Sequence, residues 1–370
     1  MKSKLEKYNF LINTSLIFLS VLIPLGATDI LLKYLELPKA YGRVIVLGGG
    51  YLKSKKDFDF RAYSPNSTIR HSNFYGNVKA FDQTFKTNKY GFRITSVCDS
   101  SRTGNLLAIT GDSFTEGHGS EISWSSEIQK ISCKKGFNSI NLAVGGNGVI
   151  EMLNSLRFAQ DNLGSDKALV AITSSDIERF YREMRTNPNC SSFVFDNKST
   201  CNRGPVYWHI PLTINNEELN KFVQKKYNYG ILSSFKLFIR EPTLKLKKFM
   251  KEKISSSILN TLDTKNKYEV IKESYIKLNN ASKSYGINDF LLLILPNKIY
   301  INKNEILNDN NLNIFLNNLN RNINIVDLRY CPLKKQHFIE HDGHLNADGQ
   351  RLLGKCASAD SKVREFLDLL

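Results

Sequence analysis

Gly111-Asp112-Ser113-Phe114-Thr115-Glu116-Gly117 follows the apolar run Leu106-Leu107-Ala108-Ile109-Thr110 and precedes a stretch that can turn helical. A serine at the carboxyl end of a buried strand, just before a helix, is placed as a nucleophile needs to be. The tight turn lifts its hydroxyl out of the sheet, and N–H groups at the helix start can receive a developing oxyanion. Far downstream, Glu340-His341-Asp342-Gly343-His344-Leu345-Asn346 can supply a base and its carboxylate. A serine early in the chain and an acid–base pair late in it point to nucleophilic acyl chemistry.

Those residues need a scaffold, and the pattern from Leu106 onward supplies one. Short apolar runs at Leu106–Thr110, Ser139–Val144, Ala168–Thr173, Phe290–Leu295 and Ile323–Leu328 read as strands. Helical stretches lie between them, around Trp124–Ile131, Ile150–Asn162, Tyr268–Tyr285 and Ile306–Leu319, with a last helix at Ala347–Ala357. Continuous apolar strands alternating with helices predict a parallel sheet covered on both faces. Ligands of such sheets bind beyond the carboxyl ends of the strands, where Ser113 and the residues after Val144 and Thr173 fall.

The N-terminus sets the location. Lys2, Lys4 and Lys7 precede an uncharged run from Asn9 to Ala27, close to the roughly 20 residues that span a bilayer. Basic residues before it and a long domain after it predict the N-terminus inside and the bulk of the chain outside the cytoplasm, periplasmic or on the cell surface. An uncleaved anchor is the expectation and a cleaved signal peptide the alternative. Ala27 can end a signal, but Leu25 is large for the position two residues earlier.

Six cysteines, all beyond the apolar run, suit an oxidising compartment. Proximity suggests Cys190 with Cys201, Cys331 with Cys356 across the histidine cluster, and Cys98 with Cys133; other connectivities and free thiols stay open. No CxxC pair or His/Cys ligand spacing suggests a metal, and no cofactor is implied. The chain carries 51 basic and 35 acidic residues, a net +16. That excess favours anionic surroundings. No helix-turn-helix, zinc-finger or RNA-binding signature is present, so nucleic acid is not an expected partner.

The expected organisation is an anchor at 1–30, a juxtamembrane extension with short strands at 31–100, and a main domain at 101–370. Gly48-Gly49-Gly50 reads as a flexible joint within the extension. The main domain carries an insertion at about 180–264, where strand–helix alternation stops. The insertion's basic run Leu244–Lys251 can form a lid or a sugar platform, but Leu246, Phe249 and Met250 have the spacing of a helix packed on the sheet.

Together the Gly-Asp-Ser turn, Asn141-Leu142-Ala143-Val144-Gly145-Gly146-Asn147-Gly148 and the terminal Asp-Gly-His resemble the SGNH/GDSL hydrolases. Asn88-Lys89-Tyr90-Gly91-Phe92-Arg93 resembles a stretch that precedes the serine turn in membrane-anchored members. The resemblance covers roughly residues 104–360. It implies a flavodoxin-like three-layer α/β/α sandwich with an acyl-serine mechanism. In it Ser113 is the nucleophile, His344 the base and Asp342 the acid, with Glu340 and His341 as the alternative pair. The implied oxyanion hole uses the N–H of Ser113 and that of Gly146, with Gly145 as the neighbouring alternative.

Two departures from the family pattern stand out. Ser175 occupies the place of the usual asparagine amide, and Asp342 stands two rather than three residues before the histidine. The second spacing goes with anchored, polysaccharide-modifying relatives. The implied substrates are acylated carbohydrates of the envelope or exported glycans, or other acyl esters. Water as acceptor gives an esterase; a sugar hydroxyl gives an O-acyltransferase. A weakened scaffold that binds polysaccharide or a membrane acyl-donor protein, and a lysophospholipase or lipase, are the competing expectations.

Overall fold

The computed structural model describes residues 2–34, 43–50, 52–55, 60–75, 78–95, 105–177, 207–226, 258–286, 288–297 and 310–368. The chain forms two compact units. The first comprises Met1–Arg43, Phe74–Val78 and Ile214–Asn260; the second comprises Val44–Asn73, Lys79–Thr213 and Thr261–Leu370.

In the first unit α1 (Lys2–Tyr34) runs as one helix through Pro24. Its stretch Asn13–Leu31 is long and apolar enough to cross a membrane, and none of it is buried. Leu16, Ile17, Leu22 and Ile23 all stand more than half exposed. Such a surface fits a membrane anchor or a signal sequence. The Asn215 side chain accepts from Glu218 N–H, and Glu218 reaches back to Asn215 N–H. That reciprocal cap starts the helix Asn216–Lys226.

The second unit opens with strands β1 (Arg43–Gly48), β2 (Leu52–Lys55), β3 (Phe60–Tyr63), β4 (Thr68–Tyr75) and β5 (Val78–Lys86). It continues with β6 (Leu106–Thr110), α2 (Ser113–Glu116), α3 (Ser125–Lys134), β7 (Asn138–Asn141), α4 (Val149–Leu163), β8 (Ser165–Ile172) and α5 (Ser174–Ile177). Then comes β9 (Tyr207–Ile210); after the first unit's helix Asn216–Lys226 (α6), the second unit resumes within α7 (Ile258–Tyr285) and goes on to β10 (Phe290–Ile294). The chain finishes with α8 (Asn310–Asn317), β11 (Asn324–Asp327), α9 (Ala347–Ala359) and α10 (Ser361–Phe366).

The central sheet is parallel with strand order β11-β10-β8-β6-β7. Counted in chain order that is 2-1-3-4-5 read from the other edge, the flavodoxin-like arrangement, whose switch point lies between β6 and β8. Period-two pleating explains why its strands read as unbroken apolar runs. Leu107, Ile109, Leu169, Ala171, Leu291 and Leu293 face one way, packing with Ile128 of α3, Leu353 of α9 and Val363 of α10. Ala108, Ala168, Val170, Ile172, Leu292 and Ile294 face the other, against Met152 and Leu156 of α4, Leu278 of α7 and Phe315 of α8. Both faces are covered, so both alternating sets must be apolar.

A second sheet, β5-β4-β1-β9, uses residues from the N-terminal extension and the insertion. Here β1 pairs in parallel with β9, while β2 and β3 form a separate antiparallel pair. Gly48 ends β1 and Gly49-Gly50 form a bend, with Ile45, Val46, Leu47 and Gly48 all buried. Of the triple glycine, Gly48 thus closes a buried strand, while Gly49 is exposed and Gly50 half-buried.

The expected elements are present with shifted ends. The second strand stops at Asn141 instead of Val144, because the Asn141 side chain accepts from Ala143 N–H and turns the chain out of the sheet. The helix expected from Tyr268 begins at Ile258, and the one expected at Ile306 is described from Asn310. The basic run Leu244–Lys251, Cys98, Cys190 and Cys201 lie outside the described residues. Cys331 and Cys356 form a disulfide across 25 residues of chain, tying the segment before the histidine loop to α9, and Cys133 is disulfide-bonded as well.

Candidate active site

Ser113 sits where β6 gives way to α2, at the carboxyl edge of the sheet. Asp112 caps α2, its Oδ1 accepting from Phe114 N–H at 2.9 Å. The cap halts the strand and turns the Ser113 hydroxyl toward the loop that follows β11. That loop is a narrow one: Ile339 N donates to His344 O (2.9 Å), Asn346 N donates to His337 O (3.0 Å), and Phe338 bridges Leu345. Asp342 and His344 occupy its inner side, 4 % and 8 % exposed, and Ser113 is 7 % exposed.

The three side chains meet. His344 Nε2 lies 2.7 Å from Ser113 Oγ, and His344 Nδ1 lies 2.5 Å from Asp342 Oδ1. Asp342 Oδ1 also accepts from His344 N–H at 3.0 Å, which the two-residue spacing makes possible. A carboxylate only accepts, so the ring proton belongs on Nδ1 and Nε2 presents its lone pair to the serine hydroxyl. Phe114 and His118 flank the imidazole, with ring centroids 5.2 and 5.1 Å away. The alternative pair stands apart from this geometry: the side chains of Glu340 and His341 are 90 % and 54 % exposed, 3.6 Å from each other.

The glycine loop after β7 comes to the same edge. Asn141 Nδ2 donates to Thr115 O and Ser125 Oγ, both at 3.0 Å, and so locks this loop to the serine turn. Gly145 N–H is already used, donating to Glu116 Oε2 at 2.5 Å. Neither Ser113 N–H nor Gly146 N–H enters a hydrogen bond among the described residues. Gly146 has φ 84°, and a Cβ there would lie 3.0 Å from Arg61 Nη2, so both backbone and space call for glycine. Ser175 lies in α5, just beyond the end of β8, its hydroxyl 2.8 Å from Thr173 Oγ1. Asp176 Oδ2 holds that corner by accepting from Thr173 N–H (2.7 Å) and Thr173 Oγ1 (2.9 Å).

Several buried residues of the site carry no signature in the sequence. Glu116, fully buried, accepts from Tyr63 Oη at 2.7 Å as well as from Gly145, so it braces the glycine loop from below. Burial pushes its carboxyl above the usual range, against the lowering influence of the Tyr63 hydroxyl, the Arg93 charge, Gly145 N–H and His344. His118 Nε2 is 2.8 Å from His71 Nδ1. Asn73 Nδ2 donates to Asp342 Oδ2 at 2.7 Å. Gln350 joins α9 to the serine segment, accepting from Trp124 N–H (2.8 Å) and donating to Phe114 O (3.4 Å). Period two along β4 could have linked His71 with Asn73, but nothing local says what either faces.

The Asn88–Arg93 stretch acquires a physical role. Asn88 Oδ1 accepts from Tyr90 and Phe92 N–H, closing a turn. Gly91 has φ 90°, and a Cβ there would fall 2.1 Å from Tyr63 O. The turn delivers Arg93 into the interior, where it donates to Gly117 O (2.7 Å), Ser120 O (2.7 Å) and Glu121 O (3.0 Å). One guanidinium thus joins three carbonyls of the turn after α2, of which Gly117 O also accepts from Ser120 N–H (3.1 Å). Burial lowers its pKa from the ordinary value, opposed by Glu116 and Tyr63.

Among the described residues no three His, Cys, Asp or Glu side chains are grouped to hold a metal ion. The arrangement can move a proton from a serine hydroxyl to an imidazole held by a carboxylate. No protein-family model and no curated protein matches the chain. It is similar to the crystal structure of the lipase/acylhydrolase from Enterococcus faecalis, with 11 % sequence identity, a TM-score of 0.35, and coverage of 72 % of this chain and 96 % of that one. A likeness at that level carries no argument about this site.

Proposed function

We propose that this protein is a serine acyl hydrolase or O-acyltransferase of the SGNH/GDSL type, working through an acyl-serine on O-acyl groups of cell-envelope or exported carbohydrate. The observation that carries the reading is the hydrogen-bonded series Ser113–His344–Asp342, assembled from opposite ends of the domain. His344 Nε2 takes the Ser113 proton as Oγ attacks the acyl carbonyl. The leaving alcohol then receives that proton from His344, and the acyl group stays on Ser113. Water or a sugar hydroxyl, deprotonated by His344, releases it.

The tetrahedral oxyanion is received by Ser113 N–H and Gly146 N–H, neither of which is hydrogen-bonded among the described residues, with Ser175 as the third contributor. One such donor is worth roughly 10²–10³ in rate. The Ser175 hydroxyl is shorter than an amide and already engaged with Thr173, which suits a site whose acceptor completes the hole. The apolar helix at the N-terminus holds the domain at a membrane with the site outside the cytoplasm.

A fluorophosphonate probe tests the chemistry without knowledge of the substrate. A single adduct on Ser113, lost in Ser113→Ala with an unchanged thermal midpoint, is the expected result. Folded wild-type protein that never acquires the adduct refutes the acyl-serine reading. Incubation with an acetylated oligosaccharide, with and without a second glycan as acceptor, then separates hydrolysis from transfer.

A further inference from the structure

We infer that Asn73, contributed by β4 of the N-terminal extension, is a positioning residue for the acid of the triad. The inference rests on the acyl-serine reading and adds a group that no motif in the chain marks. Asp342 divides its two oxygens between two tasks. Oδ1 accepts from His344 N–H and Nδ1, whereas Oδ2 accepts from the Asn73 amide at 2.7 Å. The side chain of Asp342 is 1 % exposed and Asn73 is fully buried, so bulk water does not supply this contact.

The consequences follow from geometry and charge. Without the Asn73 amide, the carboxylate loses one of the contacts that hold its terminal torsion, a soft two-fold one. It would then present to the imidazole an oxygen no longer aligned with both His344 N–H groups. The amide also offsets the cost of burying an ionised carboxylate, so that Asp342 stays charged when the imidazolium forms. A hydrogen bond to a charged group is among the stronger ones in a protein. The extension is therefore part of the machinery of the site, with Asn73 acting through Asp342 and never touching substrate.

The test uses full-length protein and a fluorophosphonate, following the rate of Ser113 adduct formation. Asn73→Leu keeps the volume and removes the donor; in protein that still folds the expected labelling rate falls by about 10- to 100-fold, with a lowered thermal midpoint because a buried charged oxygen loses its donor. The decisive variant exchanges the partners. In Asn73→Asp with Asp342→Asn, the new amide donates to the new carboxylate and its oxygen is left to accept from His344, which restores the useful tautomer. That double variant is expected to react at least tenfold faster than Asp342→Asn alone, a recovery that a merely structural residue cannot produce.

Wild-type labelling with Asn73→Leu reacting as fast as wild type, or a double variant no faster than Asp342→Asn, overturns the inference while leaving the acyl-serine reading intact. Absence of labelling in the wild type defeats that reading itself. If Asn73→Leu does not fold, the double variant, which keeps a polar pair in place, decides alone.

Discussion

Replacing Asp342 by asparagine leaves one acceptor where the carboxylate supplies two. In one orientation the amide oxygen takes the Oδ1 place and serves both His344 N–H groups, but its NH₂ then faces the NH₂ of Asn73. In the other, the NH₂ faces His344 N–H, and Nδ1 must become an acceptor. The ring proton then moves to Nε2, where it points at Ser113 Oγ and can no longer receive the serine proton. Each arrangement sets donor against donor in a buried place, at about 1–3 kcal/mol. Both also remove the negative charge that stabilises the imidazolium.

Substitution of this kind in a Ser-His-Asp site lowers turnover about 10⁴-fold, equivalent to about 5.5 kcal/mol on the barrier. Asp342→Asn is therefore expected to slow Ser113 labelling and ester hydrolysis by about 10³- to 10⁴-fold. Glu340→Gln changes a side chain that is 90 % exposed and is expected to stay within about twofold. The assay is the first-order rate of fluorophosphonate adduct formation at neutral pH, read by intact mass, with thermal midpoints to confirm folding. Folded Asp342→Asn protein reacting within about tenfold of wild type, or Glu340→Gln proving the slower of the two, would refute the assignment of the acid.

Other outcomes follow from the same contacts. Burial raises the folded-state pKa of Glu116, so the folded protein holds a proton there that the unfolded chain has released; stability falls as pH rises from the ordinary carboxylate range through that raised value. Glu116→Gln, which can serve Tyr63 and Gly145 in one amide orientation, should gain stability relative to wild type as pH increases, and urea melts giving a pH-independent difference would contradict this. Arg93→Met removes the guanidinium that Ser120 O and Glu121 O accept from and one of two donors to Gly117 O, and is expected to cost about 3–5 kcal/mol, read from the same melts. The double Cys331→Ser, Cys356→Ser variant opens a loop of 25 residues and should lose about 3.5 kcal/mol, visible as a lowered thermal midpoint. Ser175→Asn supplies a longer donor just beyond the end of β8; ester turnover should rise, and an unchanged rate would show that another group already fills that role.

Much of the frame was legible along the chain because local patterns obey short-range rules. Buried parallel strands must be apolar on both faces, so β6, β8 and β10 announced themselves as unbroken runs. The Gly-Asp-Ser turn and the Asp-Gly-His loop stood out because each is a compact constellation of reactive types. Strand ends were less legible: β7 stops at Asn141 because a side chain bonds its own backbone two residues on, a contact that hydropathy does not register.

What the sequence determined by itself is the alternation that builds the parallel sheet, the apolar N-terminal helix, and the identities of Ser113, Asp342 and His344. What only the tertiary structure decided is which oxygens and nitrogens face one another inside it. Gly145 N–H belongs to Glu116, Oδ2 of Asp342 belongs to Asn73, and Arg93 closes the turn behind the serine. The physical reason is that a buried polar group must find its partner wherever the packed chain brings one. Those partners lie far from their mates along the chain, where no periodicity or spacing connects them.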